Sequence, residues 1–321
     1  MASDLQVWEV TKPYLNLHCL LGEGPFYEEA TNSLRFIDIR KHHLHTVDLA
    51  AAADDHPPSV HTLELDSTIG VTVDVEGIDP REKIAIGLKY GLALLDRKTG
   101  TYEYLRRFAD SADLSKSSQA LDFEHTRSND GAADPHGRFW LGSMTDFDRG
   151  PFQPEGALFR FAAGGKSAEL IRPDLTIPNG LGWSPDGRTM YFTHSSAKTV
   201  YAFDYDPIDG HISHERVLYQ HAGPGEPDGF RVDADGYLWH AVYGPGRVLK
   251  ISPTDGRVVG EVRLPTKNIT CVQFVGTELF ITTAADEAAA DGSPSKELGG
   301  ALFRVDVGVK GLPLYKFKLD A

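Results

Sequence analysis

Only two cysteines, Cys19 and Cys271, stand in the 321 residues of this chain. Two lone thiols cannot build a disulfide framework and suit a reducing compartment, so the cytoplasm is the expected location. Basic residues are scarce beside acidic ones, 32 Lys and Arg against 46 Asp and Glu, and the net charge is −14. A surface of that sign repels phosphate backbones and anionic headgroups, so neither nucleic acid nor a membrane is an expected partner. No apolar run approaches the roughly 20 residues of a membrane span. The opening Met1-Ala2-Ser3-Asp4-Leu5-Gln6 lacks the basic and apolar regions of a signal peptide.

Familiar catalytic signatures are missing too. There is no His-Glu-x-x-His, no Gly-x-Ser-x-Gly elbow and no glycine-rich phosphate loop. The stretch Asp204-Tyr205-Asp206-Pro207-Ile208-Asp209-Gly210 imitates a calcium loop, but Ile208 and Asp209 fall where a ligand and the turn glycine belong. His42, His43 and His45 cluster around a strand and turn and read as surface residues. Helical periodicity is almost absent; residues 110–121 read as a loop or one short helix.

What is abundant is punctuation: 32 glycines and 19 prolines imply many tight turns between short strands. Six apolar segments recur at 34–37, 84–86, 138–141, 190–193, 237–241 and 279–282. Their spacing of roughly 40–55 residues is that of a four-stranded propeller blade. Turns such as Pro185-Asp186-Gly187 and Ala234-Asp235-Gly236 precede several of them, supplying the positive-φ residues that hairpins need. The expected fold is all-β, one six-bladed β-propeller domain over residues 1–321. Residues 314–319 are expected to pair with an N-terminal strand and close the ring.

Four short motifs sit at matching places before these segments: Gly22-Glu23-Gly24-Pro25, Arg127-Ser128-Asn129-Asp130-Gly131, Pro178-Asn179-Gly180 and Pro227-Asp228-Gly229. Each alone reads first as Asx-type turn residues beside glycine. Together, at one phase in four blades, they point to a shared site facing the propeller axis. Glu23, Asn179 and Asp228 offer oxygen ligands without sulfur or imidazole, a set for a hard divalent cation. Three protein ligands also leave positions for water and substrate.

With these motifs the chain resembles the SMP-30/gluconolactonase family, also called the regucalcin family. The likeness includes Asn32-Ser33-Leu34-Arg35-Phe36-Ile37-Asp38-Ile39, the run from Asp134-Pro135-His136-Gly137 through Gly142-Ser143-Met144, and the terminal Gly308-Val309-Lys310-Gly311. The resemblance implies a six-bladed propeller whose metal is held by Glu23, Asn179 and Asp228. Ca²⁺ is the first expectation, with Mn²⁺, Mg²⁺, Zn²⁺ or Fe²⁺ as alternatives. It implies that Arg127 and Asn129 contact a sugar lactone, opened to its aldonic acid in a monomer or small homo-oligomer. Asp228 is the candidate base for the attacking water. A non-catalytic calcium-binding or regulatory propeller is the alternative. Regucalcin-like members carry an acidic pair after the Gly-Ser-Met turn whose second residue helps bind substrate. Here Phe147 stands at that position, flanked by Asp146 and Asp148, which leaves the sugar preference open.

Overall fold

Short strands of β-branched and aromatic residues, cut by Gly, Pro and Asp turns, lay down six sheets of mainly antiparallel strands, two of which take in an N-terminal strand. The structure is a computed structural model describing residues 5–50 and 58–319. Residues 1–4 of the opening segment therefore lie outside it. The architecture is a six-bladed β-propeller. The six recurrent apolar segments all fall on second strands: Ser33–Asp38, Lys83–Leu88, Phe139–Thr145, Thr189–His194, Leu238–Tyr243 and Glu278–Thr283. First strands such as Gly22–Glu28 and Thr126–Ala133 are almost wholly buried, whereas fourth strands such as Val60–Glu64 and Ile212–Gln220 are largely exposed. That gradient suits a blade running from its inner to its outer edge.

Two buried aspartates show how a turn is locked to its strand. Asp134 Oδ1 accepts from the amides of His136 and Arg138 at 2.9 and 3.0 Å. Its Oδ2 takes the Trp140 indole at 3.2 Å and the Tyr205 hydroxyl at 2.6 Å. Asp233 repeats the pattern with Asp235 and Tyr237 amides at 3.0 and 2.9 Å and the Trp239 indole at 2.8 Å. Each carboxylate is fully covered, so these bonds offset the cost of burying it. Trp140 packs with Trp183, Met190 and Phe192, and Trp239 with Val248, Val272 and Phe303. Each fully buried large side chain contributes about 1.5–3 kcal/mol.

The chain groups into two compact units. One comprises residues 1–62, 198–200 and 217–312; the other comprises 63–197, 201–216 and 313–321. Within the first, Leu15–Asn16 pairs antiparallel with Ala301–Asp306 and supplies the fourth strand of blade six. Gln6–Glu9 adds in parallel to Val258–Arg263 of blade five. Residues 314–319 do not pair with either N-terminal strand, which corrects the expected closure. They run through the second unit, where Phe317 bonds Asp74 and Glu76 backbone groups at 2.8 Å and Lys318 N donates to Gly137 O at 2.9 Å. Phe317 is fully buried, its ring 6.4 Å from that of Phe139. Residues 314–319 form no named strand, and Phe317 makes an isolated parallel bridge to Val75.

Residues 110–121 form a loop with short 3-10 turns at Phe108–Asp110 and Leu114–Lys116. A five-residue helix, Pro294–Leu298, begins where Ser293 caps the Lys296 amide. His45 is buried, contrary to its surface reading. It lies against Phe36 with Nδ1 at 2.8 Å from Thr62 Oγ1, and burial pushes it down to about 4. No helix among the described residues is long and apolar enough to cross a membrane.

Candidate functional site

Every first strand breaks register near its start. The slips fall between Glu23 and Phe26, Ile69 and Val71, Ser128 and Gly131, Pro178 and Leu181, Pro227 and Phe230, and Ile269 and Cys271. Such a bulge re-aims side chains out of the ordinary alternation. Asn129, Asn179 and Asp228 lie within their bulges, and Glu23 lies directly before its own. Gly24, with φ of +53°, takes the left-handed turn after Glu23 that a side chain would resist. These motifs read from the sequence as turns are therefore bulges on buried strands.

In the second unit Arg127 and Asn129 are hydrogen-bonded to each other, and Asn129 reaches the backbone of the residue before Asn179. Arg127 Nη1 donates to Asn129 Oδ1 at 2.9 Å and to Ser128 O at 2.7 Å. Asn129 Nδ2 donates to Pro178 O at 2.9 Å, on the residue before Asn179. Asn179 Nδ2 donates to Ser195 Oγ at 3.1 Å, which orients the amide. Asn179 Oδ1 is buried and accepts no hydrogen bond from the described residues. All three side chains are buried, Arg127 most deeply. Gly70 allows strand Ile69–Val73 to lie against this segment, since a Cβ there would sit 2.4 Å from Asn129 O.

The first unit holds Glu23 and Asp228. Their strands flank Ile269–Val275: Thr270 Oγ1 donates to Gly22 O at 2.6 Å, and Arg231 Nε donates to Gln273 Oε1 at 2.9 Å. Arg231, two residues beyond Gly229, donates from Nη2 to Pro25 O at 3.2 Å. Glu23 Oε2 accepts the Gly24 amide at 2.8 Å, and both carboxylates are buried. Tyr243 stands at the end of the strand beside Asp228 and is more than a third exposed. Its phenol is pushed up by desolvation and then by the charges of Asp228 and Asp286.

Sequence reasoning did not find Ser195, Tyr243 or the contact that Phe147 makes. The Phe147 ring lies 4.3 Å from the Arg127 guanidinium carbon. His194, beside Ser195, is pushed down to about 4 by burial and then by Arg172, so its ring is neutral at ordinary pH. Its Nε2 accepts the Thr176 amide at 3.1 Å. Among the described residues no three His, Cys, Asp or Glu side chains form a metal-ligating group. The set Glu23, Asn179 and Asp228 has only two such residues, its third donor being an amide.

The chain is a β-propeller whose first strands carry buried carboxylates and amides at or beside their bulges. Residues 21–285 match the family described as SMP-30/Gluconolactonase/LRE-like region, and the chain belongs to that family. It is 34% identical over 306 residues to a pentonolactonase of Haloferax volcanii, covering 93% of this chain and 94% of that protein. It is 30% identical over 308 residues to regucalcin of Danio rerio, covering 92% and 94%. Its fold matches a solved calcium-binding protein, regucalcin, of Agrobacterium tumefaciens strain C58 with a TM-score of 0.81 at 26% identity, covering 97% of this chain and 99% of that one.

Proposed function

We propose that this chain is a lactonase that opens aldonolactones to aldonic acids with one divalent cation held by Glu23, Asn179 and Asp228. The observation that carries the cation is the Asn179 amide. Ser195 fixes its nitrogen, while its buried oxygen accepts nothing from the described residues. A buried acceptor left in that state costs about 1–3 kcal/mol, and a cation ligand there would recover it. Two buried carboxylates and one amide oxygen match the hard-donor chemistry of Ca²⁺, with Mn²⁺, Mg²⁺, Zn²⁺ or Fe²⁺ as substitutes. Once bound, the cation supplies Lewis-acid polarisation of the lactone carbonyl.

The rest falls to the chain itself. Asp228 takes the proton of the attacking water as general base. Arg127 and Asn129 hold the sugar oxygens, and their mutual hydrogen bond keeps both in one orientation. The lactonase reading also draws on the likeness to the Haloferax volcanii pentonolactonase. Acid release from γ- and δ-aldonolactones, followed before and after chelation and after return of each ion, tests it. Metal-dependent turnover of at least one lactone is expected; no turnover with any ion would end the proposal.

A further inference from the structure

Tyr243 closes the second strand of blade five, Leu238–Tyr243, at the end where Asp228 lies. In the register of that blade it stands opposite Glu226, and Asp228 follows two residues further along the facing strand, diagonally across from it. Two neighbours hold its backbone. Gly225, at φ of +83°, packs so closely that a Cβ there would sit 2.2 Å from Tyr243 O. From blade six, Asn268 bridges Tyr243, and Gly244 N donates to Lys267 O at 3.0 Å. The Asn268 amide in turn donates to Ala285 O at 2.9 Å. Lys267 N donates to Ser295 Oγ at 3.1 Å, and that hydroxyl donates to Asp286 Oδ2 at 2.7 Å. The segment carrying Asp286 is thereby tied to the strand end that carries Tyr243.

The side chain is not used in the same way. Among the described residues its hydroxyl makes no hydrogen bond and its ring meets no other ring, and the residue is 38% exposed. Desolvation and then the charge of Asp228 push the phenol up, so the two side chains are neighbours. A tyrosine with a fixed backbone and an exposed ring presents a flat apolar face and one O–H donor to whatever enters beside it. We propose that Tyr243 is a substrate-binding residue: its hydroxyl donates a hydrogen bond to an oxygen of the lactone held beside Asp228, while its ring flanks the sugar. A tyrosine has few rotatable bonds to immobilise, which suits a neutral, polyhydroxylated ligand that offers acceptors all round. This rests on the reading of the Asp228 region as a lactone site.

Tyr243→Phe removes the hydroxyl and keeps the ring; Tyr243→Ala removes both. Kinetics on D-xylono-γ-lactone and D-glucono-δ-lactone, bound ion and melting temperature are measured for each. Loss of one neutral hydrogen bond predicts that Tyr243→Phe raises KM by about threefold to tenfold. A contact kept from bound lactone to transition state leaves kcat within about twofold of wild type. Tyr243→Ala raises KM further. Bound ion and melting temperature of Tyr243→Phe stay at wild-type values, which a residue acting through packing or through Asp228 would not allow. An unchanged KM in Tyr243→Phe overturns the proposal, as does a rise accompanied by loss of the ion or a lower melting temperature. Should the wild-type chain open no lactone, the lactonase reading fails by itself. Calorimetric binding of D-xylono-γ-lactone then decides: weaker binding by Tyr243→Phe than by wild type supports the contact, and equal binding or none overturns it.

Discussion

Arg127 Nη1 and Asn129 Oδ1 meet at 2.9 Å with both side chains buried, so neither residue can be changed without disturbing the other. Arg127→Ala therefore has two expected effects. Loss of a charged donor to a sugar oxygen, worth about 1.5–3 kcal/mol, lowers kcat/KM by roughly tenfold to a hundredfold. Asn129 Oδ1 and Ser128 O lose a donor as well, so the melting temperature falls by a few degrees. Bound metal is retained. Kinetics, calorimetry and metal content on one preparation check this; a loss of metal would move Arg127 into the support of the ligand set.

Asn179 gives a test that does not depend on turnover. A cation that binds only the folded chain raises its stability by about 2.7 kcal/mol at a hundredfold excess over Kd. Thermal melts with Ca²⁺ or Mn²⁺ are expected to show that rise in wild type and to lose most of it in Asn179→Ala. Ser195→Ala, which releases the amide nitrogen, is expected to weaken the cation by about tenfold, as loss of an outer partner does. Equal shifts in wild type and Asn179→Ala would remove Asn179 from the cation.

Buried histidines set the acid limit of the fold. His45, His194 and His240 are each pushed down to about 4 by burial and are neutral in the folded chain. In the unfolded chain they take up protons below about 6.5. Stability is therefore full above about pH 6.5 and falls as pH drops toward about 4, by up to about 1.4 kcal/mol per group per pH unit. Denaturant melts between pH 7.5 and 4.5 measure the slope. His240→Gln is expected to reduce that slope, and an unchanged slope would show that His240 does not contribute to it.

The propeller was legible because most second strands carry an apolar run behind a Gly or Asp turn, as at Phe139–Thr145 and Leu238–Tyr243. The closing strand was not. Leu15–Asn16 is two residues long, too short to show any period, while residues 314–319 alternate well yet contribute only an isolated bridge of Phe317 to Val75. Glu23, Asn179 and Asp228 stood out because Gly and Pro beside a polar residue mark a break in a strand. Local sequence does not distinguish a turn from a bulge, which needs the partner strand to define it. Ser195 and the Phe147 stack arise from tertiary contact alone, so no spacing announced them. The helix Pro294–Leu298 carried a readable signal in Ser293-Pro294 and Glu297, hidden only by its brevity.

Lactone opening and its dependence on the cation are tested together by one titration. Metal-stripped chain is mixed with increasing Ca²⁺, then Mn²⁺, while acid release from D-xylono-γ-lactone and bound ion are followed together in wild type and Asp228→Asn. Turnover that rises in step with the ion and saturates near one per chain is the predicted result, with both ion affinity and kcat reduced in Asp228→Asn. Full turnover in metal-free chain, or saturation with ion and no acid released from any aldonolactone, would contradict it.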